Sequence, residues 1–389
     1  MKRRALMIVV TAMAGLFGTA APSAAGFAFG EETKGVTLTQ GESDLTIRVR
    51  LQPRFDFGDV IQKTNDSYAT ESDMYMRRVR LDLGGHLVSK KIKYNLTLSG
   101  DKWDKANNSS GNKVSLKYAY VTLTPDEAYS FMFGKYKLPY SREELTSGST
   151  LLFVERPASV EASKNVFGAS NAYYQPKAAV FGRLLDGSIG YEVAVADGWQ
   201  NNEEITGGER VFKAAPLLAT RIELSPTGWV EAGRKGSHLG KGRHITAGVS
   251  LAAQNDIDYV SGGGEDRTLW GVDISTHLQG LTVSAEYISW EVDSTLGRTR
   301  PEGWFLQGGY FMEGLNIEPA ARYEVFDENA KAADRKERTM TLGVNWYGKG
   351  HSLKVQANWA HTRFESNASG ALPNDKSRDI LQIQGQLYF

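Results

Sequence analysis

Arg48, Arg50 and Arg54 stand two and four residues apart in the run Thr46-Ile47-Arg48-Val49-Arg50-Leu51-Gln52-Pro53-Arg54-Phe55-Asp56-Phe57, and Arg78 and Arg80 repeat the two-residue step. In an extended chain, residues two apart share a face. A face of guanidinium groups presents planar forks that suit phosphate or carboxylate, and their charge persists at any working pH. Several moderate sites in a row let an anion move stepwise, where one deep site would hold it. The chemistry implied is anion binding and passage. The bland alternative is that these arginines are solvated or pair with carboxylates on facing strands, as in a weakly selective pore.

The elements that must carry these residues are strands with one apolar and one wet face. Ile47, Val49, Leu51, Phe55 and Phe57 oppose the first arginine row, and Val79, Leu81 and Leu83 oppose Arg78, Arg80 and Asp82. In a third segment Ile92, Tyr94, Leu96 and Leu98 leave Lys93 on the wet face with Asn95, Thr97 and Ser99, and Lys117 on a fourth joins them. Only Asp56 and Asp82 oppose this basic group. The end of the chain alternates most cleanly, with Leu381, Ile383, Leu387 and Phe389 against Gln382, Gln384, Gln386 and Tyr388.

The same pattern predicts strands near 44–57, 73–84, 90–100, 113–123, 129–138, 177–185, 187–197, 210–224, 243–254, 267–277, 279–292, 302–313, 315–326, 337–347, 351–363 and 378–389, which is 16 in all. Short turns at Leu185-Asp186-Gly187, Leu278-Gln279-Gly280, Met312-Glu313-Gly314 and Gly348-Lys349-Gly350 alternate with longer polar loops, among them 58–72, 101–112, 198–209, 255–266 and 364–377. An even strand number with short turns at one end and long loops at the other is the pattern of a bacterial outer-membrane barrel. The link near 225–242 breaks the order, being long where a short turn is expected. The apolar rows Ile189, Tyr191, Val193, Val195; Met340, Leu342, Val344, Trp346; and Leu353, Val355, Ala357, Trp359 are expected to face lipid, and Trp199, Trp290 and Trp346 suit interfacial girdles.

Residues 1–25 read as a cleaved secretory signal: Lys2, Arg3 and Arg4 precede an apolar stretch from Ala5 to Ala21, with small Ser23 and Ala25 before a cut at Gly26. An N-terminal segment, 26–43, then leads to a barrel over 44–389. After the signal no stretch reaches the roughly 18 apolar residues of a membrane-spanning helix, so an exported chain of this pattern is a secreted β-protein or a transmembrane barrel. The 45 basic and 45 acidic residues cancel, and losing the signal leaves 42 against 45, which excludes a globally basic nucleic-acid binder. With no cysteine there is no disulfide framework, thiolate metal site or cysteine nucleophile.

The connection at about 139–176 is too long for an ordinary loop. It runs from Gly134-Lys135-Tyr136-Lys137-Leu138-Pro139-Tyr140-Ser141-Arg142-Glu143-Glu144-Leu145-Thr146-Ser147-Gly148 through Leu152-Phe153-Val154-Glu155-Arg156-Pro157, and its apolar residues need burial. Inside a 16-stranded antiparallel transmembrane β-barrel, all-β in class, the lumen offers it, as an inward-folded third loop. The G-K-Y-K-x-P-Y-S-x-E-E-L-T-S run, the following E-R-P, the segment Gly182-Arg183-Leu184-Leu185-Asp186-Gly187, the arginine-rich first two strands and the terminal Phe389 resemble the phosphate-selective porin O and P family. The resemblance implies a homotrimer of 16-stranded barrels in the outer membrane of a Gram-negative bacterium, narrowed by the third loop and passing small anions, phosphate or pyrophosphate among them. It assigns the ion path to Arg48, Arg50, Arg54, Arg78 and Arg80, with Arg142, Thr146 and Ser147 from the loop. Lys93 belongs to the path by strand phase, and Lys117, whose phase is ambiguous, is assigned to it as well. Where family members are expected to place lysine, this chain has Glu143 and Glu144, and a carboxylate there repels phosphate at short range. Phe389 ends the last strand as the C-terminal signal of outer-membrane barrels does, a feature the barrel-assembly machinery reads.

No Ser/His/acid set aligns on one strand face, so no catalytic residue is assigned. The histidines His86, His238, His244, His277, His351 and His361 contain no close-spaced metal pair, so neither metal nor cofactor is assigned, and a surface role suffices for each. Besides outer-membrane lipid and small anions no further ligand is implied, and no nucleic acid. A general, weakly selective diffusion porin is the alternative of the same build; a secreted or surface-adhesive β-protein is the alternative from another class.

Overall fold

The computed structural model describes residues 35–389 except 65–66, 107–110, 170–171, 206–207 and 296. The signal expected at 1–25 and the start of the following segment lie outside the described residues. Strands alternate as the apolar periodicity requires: β1 (Ser43–Thr64), β2 (Ser67–Leu87), β3 (Ser89–Ser99), β4 (Ser115–Asp126), β5 (Tyr129–Lys137), β6 (Tyr174–Leu184), β7 (Ile189–Ala196) and β8 (Leu217–Leu224). They continue as β9 (His244–Tyr259), β10 (Gly264–Leu278), β11 (Leu281–Ser294), β12 (Glu302–Tyr310), β13 (Ile317–Asp327), β14 (Lys336–Lys349), β15 (Leu353–Phe364) and β16 (Ser377–Tyr388). Each pairs antiparallel with the next, and β16 returns to β1 with Leu381 opposite Phe57, Gln384 opposite Arg54 and Tyr388 opposite Arg50, so the sheet closes. Closure removes both open edges, the condition for a sheet to cross hydrocarbon. Short pieces at Val36–Gln40, Val211–Lys213 and Gly297–Thr299 extend the wall outside this ring.

Strand ends depart from the sequence pattern where water bathes both faces. The stretches 58–72 and 255–266, expected as loops, are largely strand: the first hairpin continues to Thr64 and resumes at Ser67, and β9 reaches Tyr259 before β10 starts at Gly264. Beyond the membrane the lipid face no longer selects apolar residues, so alternation fades while the hydrogen-bond ladder runs on. The run expected at 210–224 divides, because Pro216 has no N–H to give the ladder. At the other end, Leu185 and Asp186 both take positive φ (52° and 51°), the twist-matched geometry of a two-residue hairpin turn.

Outward rows are apolar and exposed, including Met340, Leu342, Val344 and Trp346 on β14 and Leu381, Ile383, Leu387 and Phe389 at the C-terminus, while Gln384, Gln386 and Tyr388 are buried inside. Trp346 is 44% exposed and belongs to the lipid surface, as do Trp270, Trp304 and Trp359. Trp199 and Trp290, expected in the girdles, are not there. Trp199 lies buried beyond the end of β7 and donates its Nε1 to the carbonyl of Val166 at 3.0 Å; Trp290 faces inward and stacks on Phe326 at 5.9 Å. Both cover the inward-folded connection, and aromatic character alone does not separate that from a lipid contact.

Residues 138–169 and 172–173, between β5 and β6, fill the inside of the barrel with two short helices, α1 (Arg142–Leu145) and α2 (Ala158–Ser163). Leu138, Tyr140, Val166, Phe167 and Tyr173 pack on Leu217, Ala219, Ala252, Leu269 and Ile288 of the inner wall, so their apolar surface is removed from water without a separate core. The wall makes room with glycine: a Cβ at Gly303 would lie 2.5 Å from Ser159 Cβ in α2, and one at Gly343 would lie 3.2 Å from Phe153 Cε1. The unexpectedly long link 225–243 has the same explanation from the opposite end. It turns back into the barrel, where the N–H groups of Gly236 and Ser237 donate to the carbonyl of Thr150 at 2.9 and 3.2 Å. Leu239 packs against Phe311 and Tyr347.

Candidate functional site

The arginine wall is made by β1 and β2 in register: Arg48 opposes Asp82, Arg50 opposes Arg80, and Gln52 opposes Arg78. At Pro53 the register shifts, so that Gln52 meets Arg78 while Pro53 meets Met76. The residue left over is Arg77. A bulge of this kind sends two successive side chains to the same side, and Arg77 and Arg78 are both buried within the barrel. Rows of basic groups thus run from Arg48 near the short-turn end to Arg54 and Arg77, over roughly 20 Å at the usual strand rise. Carboxylates follow toward the long-loop end, with Asp56 opposite Asp73.

These groups differ in how fully they are paired. Arg54 Nε lies 2.6 Å from Asp56 Oδ1 and its Nη1 lies 2.6 Å from Glu155 Oε1. Arg77 takes both oxygens of Glu155, at 2.8 and 2.9 Å. Arg80 takes both oxygens of Asp101 at 3.3 and 2.8 Å, and Lys117 reaches the same carboxylate at 3.3 Å while sitting 4.3 Å from the centre of the Tyr174 ring. Arg78 donates to the amide oxygen of Gln52 at 2.8 Å and lies beside Gly148 of the loop. Arg50 is 5% exposed, stacks on Tyr388 at 4.4 Å, and its Nε and Nη1 are buried without a hydrogen-bond partner; Nε of Arg48 is likewise buried and unpartnered. Buried guanidinium donors left open are where an anion gains most. Lys93 shares the lumen phase of β3, but it is exposed at the short-turn mouth.

The far wall carries its cations beside carboxylates. Arg221 holds both oxygens of Asp273 at 2.7 and 2.9 Å and Glu223 at 3.0 Å. Arg267 pairs with Glu265 and Lys177 with Glu192, whereas Arg322 lies 2.9 Å from Glu324 but its Nε makes no hydrogen bond. Apart from Arg322, these cations have little left to offer a passing ion.

The loop residues expected on the path serve its anchorage. Arg142 Nη2 donates to Glu231 Oε1 at 2.7 Å, toward the inward-turned segment and away from the arginine wall. Thr146 Oγ1 donates to the Arg142 carbonyl at 2.9 Å and so closes α1; Ser147 bonds Ser149 at 2.9 Å. Glu144 is enclosed by Arg156 at 2.9 Å, Lys164 at 3.1 Å and the Tyr174 hydroxyl at 3.2 Å. Burial pushes this carboxyl up, but Arg156 and Lys164 outweigh it and hold it at about 2. Burial raises the neighbouring Glu143, whose Oε2 accepts from Gln307 at 3.2 Å. Glu155, despite its burial, is held well below the ordinary carboxylate range by Arg77 and Arg54. Of the acidic pair in the loop motif, Glu144 is therefore consumed within the loop and Glu143 is turned to the wall at Gln307, and the repulsion expected from Glu144 is cancelled at its source.

Sequence spacing missed Arg77, Glu155 and Glu231. Arg77 falls in the lipid phase of a regular strand, and only Pro53 on the partner strand hinted at an irregularity. It also assigned the histidines surface roles, whereas His244, His277 and His351 are buried. His244 and His277 lie on strands and face inward, whereas His351 sits in the turn between β14 and β15 and is buried against Ser237, a partner distant in sequence.

The family model described as "Phosphate-selective porin O and P" matches residues 47–389. An uncharacterised protein of Aquifex aeolicus (strain VF5) is 34% identical over 393 residues, covering 92% of this chain and 91% of that protein. Among solved structures, the anion-selective porin from Comamonas acidovorans superposes with a TM-score of 0.61 at 14% identity, over 90% of this chain and 100% of that one. The trimer form of OmpT, an outer membrane protein of Vibrio cholerae, gives 0.55 at 12% identity, over 90% and 100%. The structural likenesses establish the fold, and the match across nearly all of the described residues establishes the family: the chain belongs to the phosphate-selective porins O and P, and its barrel is an outer-membrane channel.

Proposed function

We propose that this porin passes small anions by diffusion and that Arg48, Arg50 and Arg78 set its preference. The observation that carries this reading is the asymmetry of pairing: guanidinium nitrogens of Arg48 and Arg50 are buried and unpartnered, while Arg221 on the opposite wall is closed by Asp273 and Glu223. Phosphate or pyrophosphate suits such a wall, because a tetrahedral oxyanion accepts several forked donors at once. The Comamonas acidovorans porin, described as anion-selective, is consistent with passage of that class of solute. Lys117, Arg54 and Arg80 contribute field more than contact, their donors being shared with Asp101, Asp56 and Glu155.

The cellular setting follows the same reading. A cleaved signal over residues 1–25 exports the chain, and Phe389, hydrogen-bonded to Val49 across the closing seam, is offered to the barrel-assembly machinery. Three barrels associate, as the trimer form of OmpT does. A channel role accounts for the chain without an enzyme activity.

Reversal potentials across planar bilayers, under gradients of potassium chloride and of potassium phosphate, test the reading. The wild-type channel is expected to favour the anion in both salts. Arg50→Glu with Arg80→Glu should lower that preference while the protein still assembles. Current carried mainly by cations in the wild type would favour a general, weakly selective pore instead, for which the carboxylates Asp56, Asp73 and Asp101 at the long-loop end are the supporting observation.

A further inference from the structure

Three of the six histidines converge inside the barrel at its short-turn end. His244 opens β9 and His277 lies one residue from the end of β10, and the two are register partners. His238 comes from the inward-turned segment 225–243, with its ring centre 4.7 Å from that of His244 and 4.8 Å from that of His277. Glu231, on the same segment, lies 3.1 Å from His238 Nε2. Glu231, His238 and His244 each bring a ligand atom within 4.8 Å of the other two.

We infer that this cluster is a site for a divalent first-row transition metal of the zinc class, and that the ion fastens the inward-turned segment to the barrel wall. Imidazole nitrogens with one carboxylate oxygen form a borderline donor set that suits zinc, nickel or copper and not magnesium or calcium. Bonds of about 2.0–2.2 Å in a tetrahedral array put donors about 3.3 Å apart, so the cluster closes by roughly 1.5 Å at most. Side-chain rotation of His238 and Glu231 supplies that, since neither lies on a strand. The surroundings are those of a built site. Ser275 Oγ lies 3.0 Å from His244 Nε2, and Thr282 Oγ1 lies 2.9 Å from His277 Nδ1, outer contacts that fix ring orientation. His277 is 0% exposed and lays its ring against that of His238 at 4.8 Å, backing the cluster from the wall.

The site joins two parts of the pore. Glu231 Oε1 also accepts from Arg142 Nη2 at 2.7 Å, so drawing Glu231 onto an ion acts on α1 of the inward-folded loop. In turn Ser237, one residue before His238, bonds Thr150 of that loop and accepts the His351 ring at 3.1 Å. An ion held here would therefore stiffen the constriction without entering the arginine path.

Zinc binding to the full chain in detergent, followed by calorimetry after chelator treatment, tests the site. One equivalent per chain is expected to bind, with His238→Ala and His244→Ala each weakening it at least about tenfold, the loss that even an outer partner's removal causes. His86→Ala with His361→Ala, the histidines beside Asp44 and Asp379, should leave it unchanged. Heat-modifiable migration verifies that each variant forms a barrel, and His238→Gln provides a milder loss of the ligand. In bilayers, zinc added on the short-turn side should reduce open-channel noise in the wild type and not in His238→Gln. Affinity unchanged in His238→Ala and His244→Ala would overturn the site, and noise unaffected by bound zinc would overturn the fastening.

Discussion

Arg77 grips Glu155 through two parallel hydrogen bonds, Nε to Oε1 at 2.8 Å and Nη2 to Oε2 at 2.9 Å. Arg54 reaches the same carboxylate at 2.6 Å, and the Glu155 carbonyl accepts from Arg322 at 2.9 Å. One acidic residue of the loop thus ties together the first two strands and the far wall. The tie exists because β2 carries one residue more than β1 opposite Pro53.

Glu155→Gln should loosen the constriction. It removes the charge that two buried arginines share, and stranding a buried partner costs about 3–5 kcal/mol. Single-channel recording is expected to show noisier openings than wild type, with anion preference raised because Arg54 and Arg77 lose their counter-charge. Quiet openings with unchanged selectivity would show that the pair holds nothing in place.

Glu144 gives a pH test with a defined sign. Its carboxyl is lowered from 4.5 to about 2 in the folded protein, where Arg156 and Lys164 outweigh its burial. Stability from a depressed carboxyl is fully present above the unfolded value and is lost as pH falls through the folded one. Open-channel noise reports the folded protein, so the difference between wild type and Glu144→Gln should hold from pH 7 to pH 4, be about halved near pH 2 and vanish below it, while the stability difference begins to shrink already below the unfolded value of 4.5. A difference that vanished already at pH 4 would place the Glu144 carboxyl in the ordinary range.

Gly303→Val tests how α2 is seated. The added side chain meets Ser159 of α2, where even a Cβ would lie at 2.5 Å. Overpacking of this kind costs about 1–3 kcal/mol, here a displacement of α2 from the wall. The expected outcome is an altered single-channel conductance with an intact barrel on heat-modifiable gels; identical conductance would mean that the loop seat tolerates the extra volume.

Alternation made the barrel legible, since each lipid-facing row had to be apolar, and Leu381, Ile383, Leu387 and Phe389 show how strictly. The inward loop was legible for a related reason, because Leu152, Phe153 and Val154 need cover that a surface loop lacks. What stayed hidden depends on partners far away in the chain. No local pattern says that Glu144 is neutralised by Arg156 and Lys164, that Trp199 covers the loop instead of lipid, or that residues 225–243 turn inward to meet Thr150. Nor does a period of two reveal Arg77, which reaches the lumen only through a break in that period.

The order of charge along the first two strands has a consequence for the direction of transport. Open guanidinium groups lie toward the short-turn end, and Asp56 and Asp73 lie toward the long-loop end. Asp56 is closed by Arg54 and Asp73 by Lys105, so the unbalanced fixed charge is positive and sits toward one mouth, and under the proposed anion path such a pore is a weak diode. Reversing the voltage reverses which mouth an anion meets first, so anions accumulate in the bore under one polarity and are depleted under the other. The lining itself, with no moving part, then gives inward and outward flux different resistances.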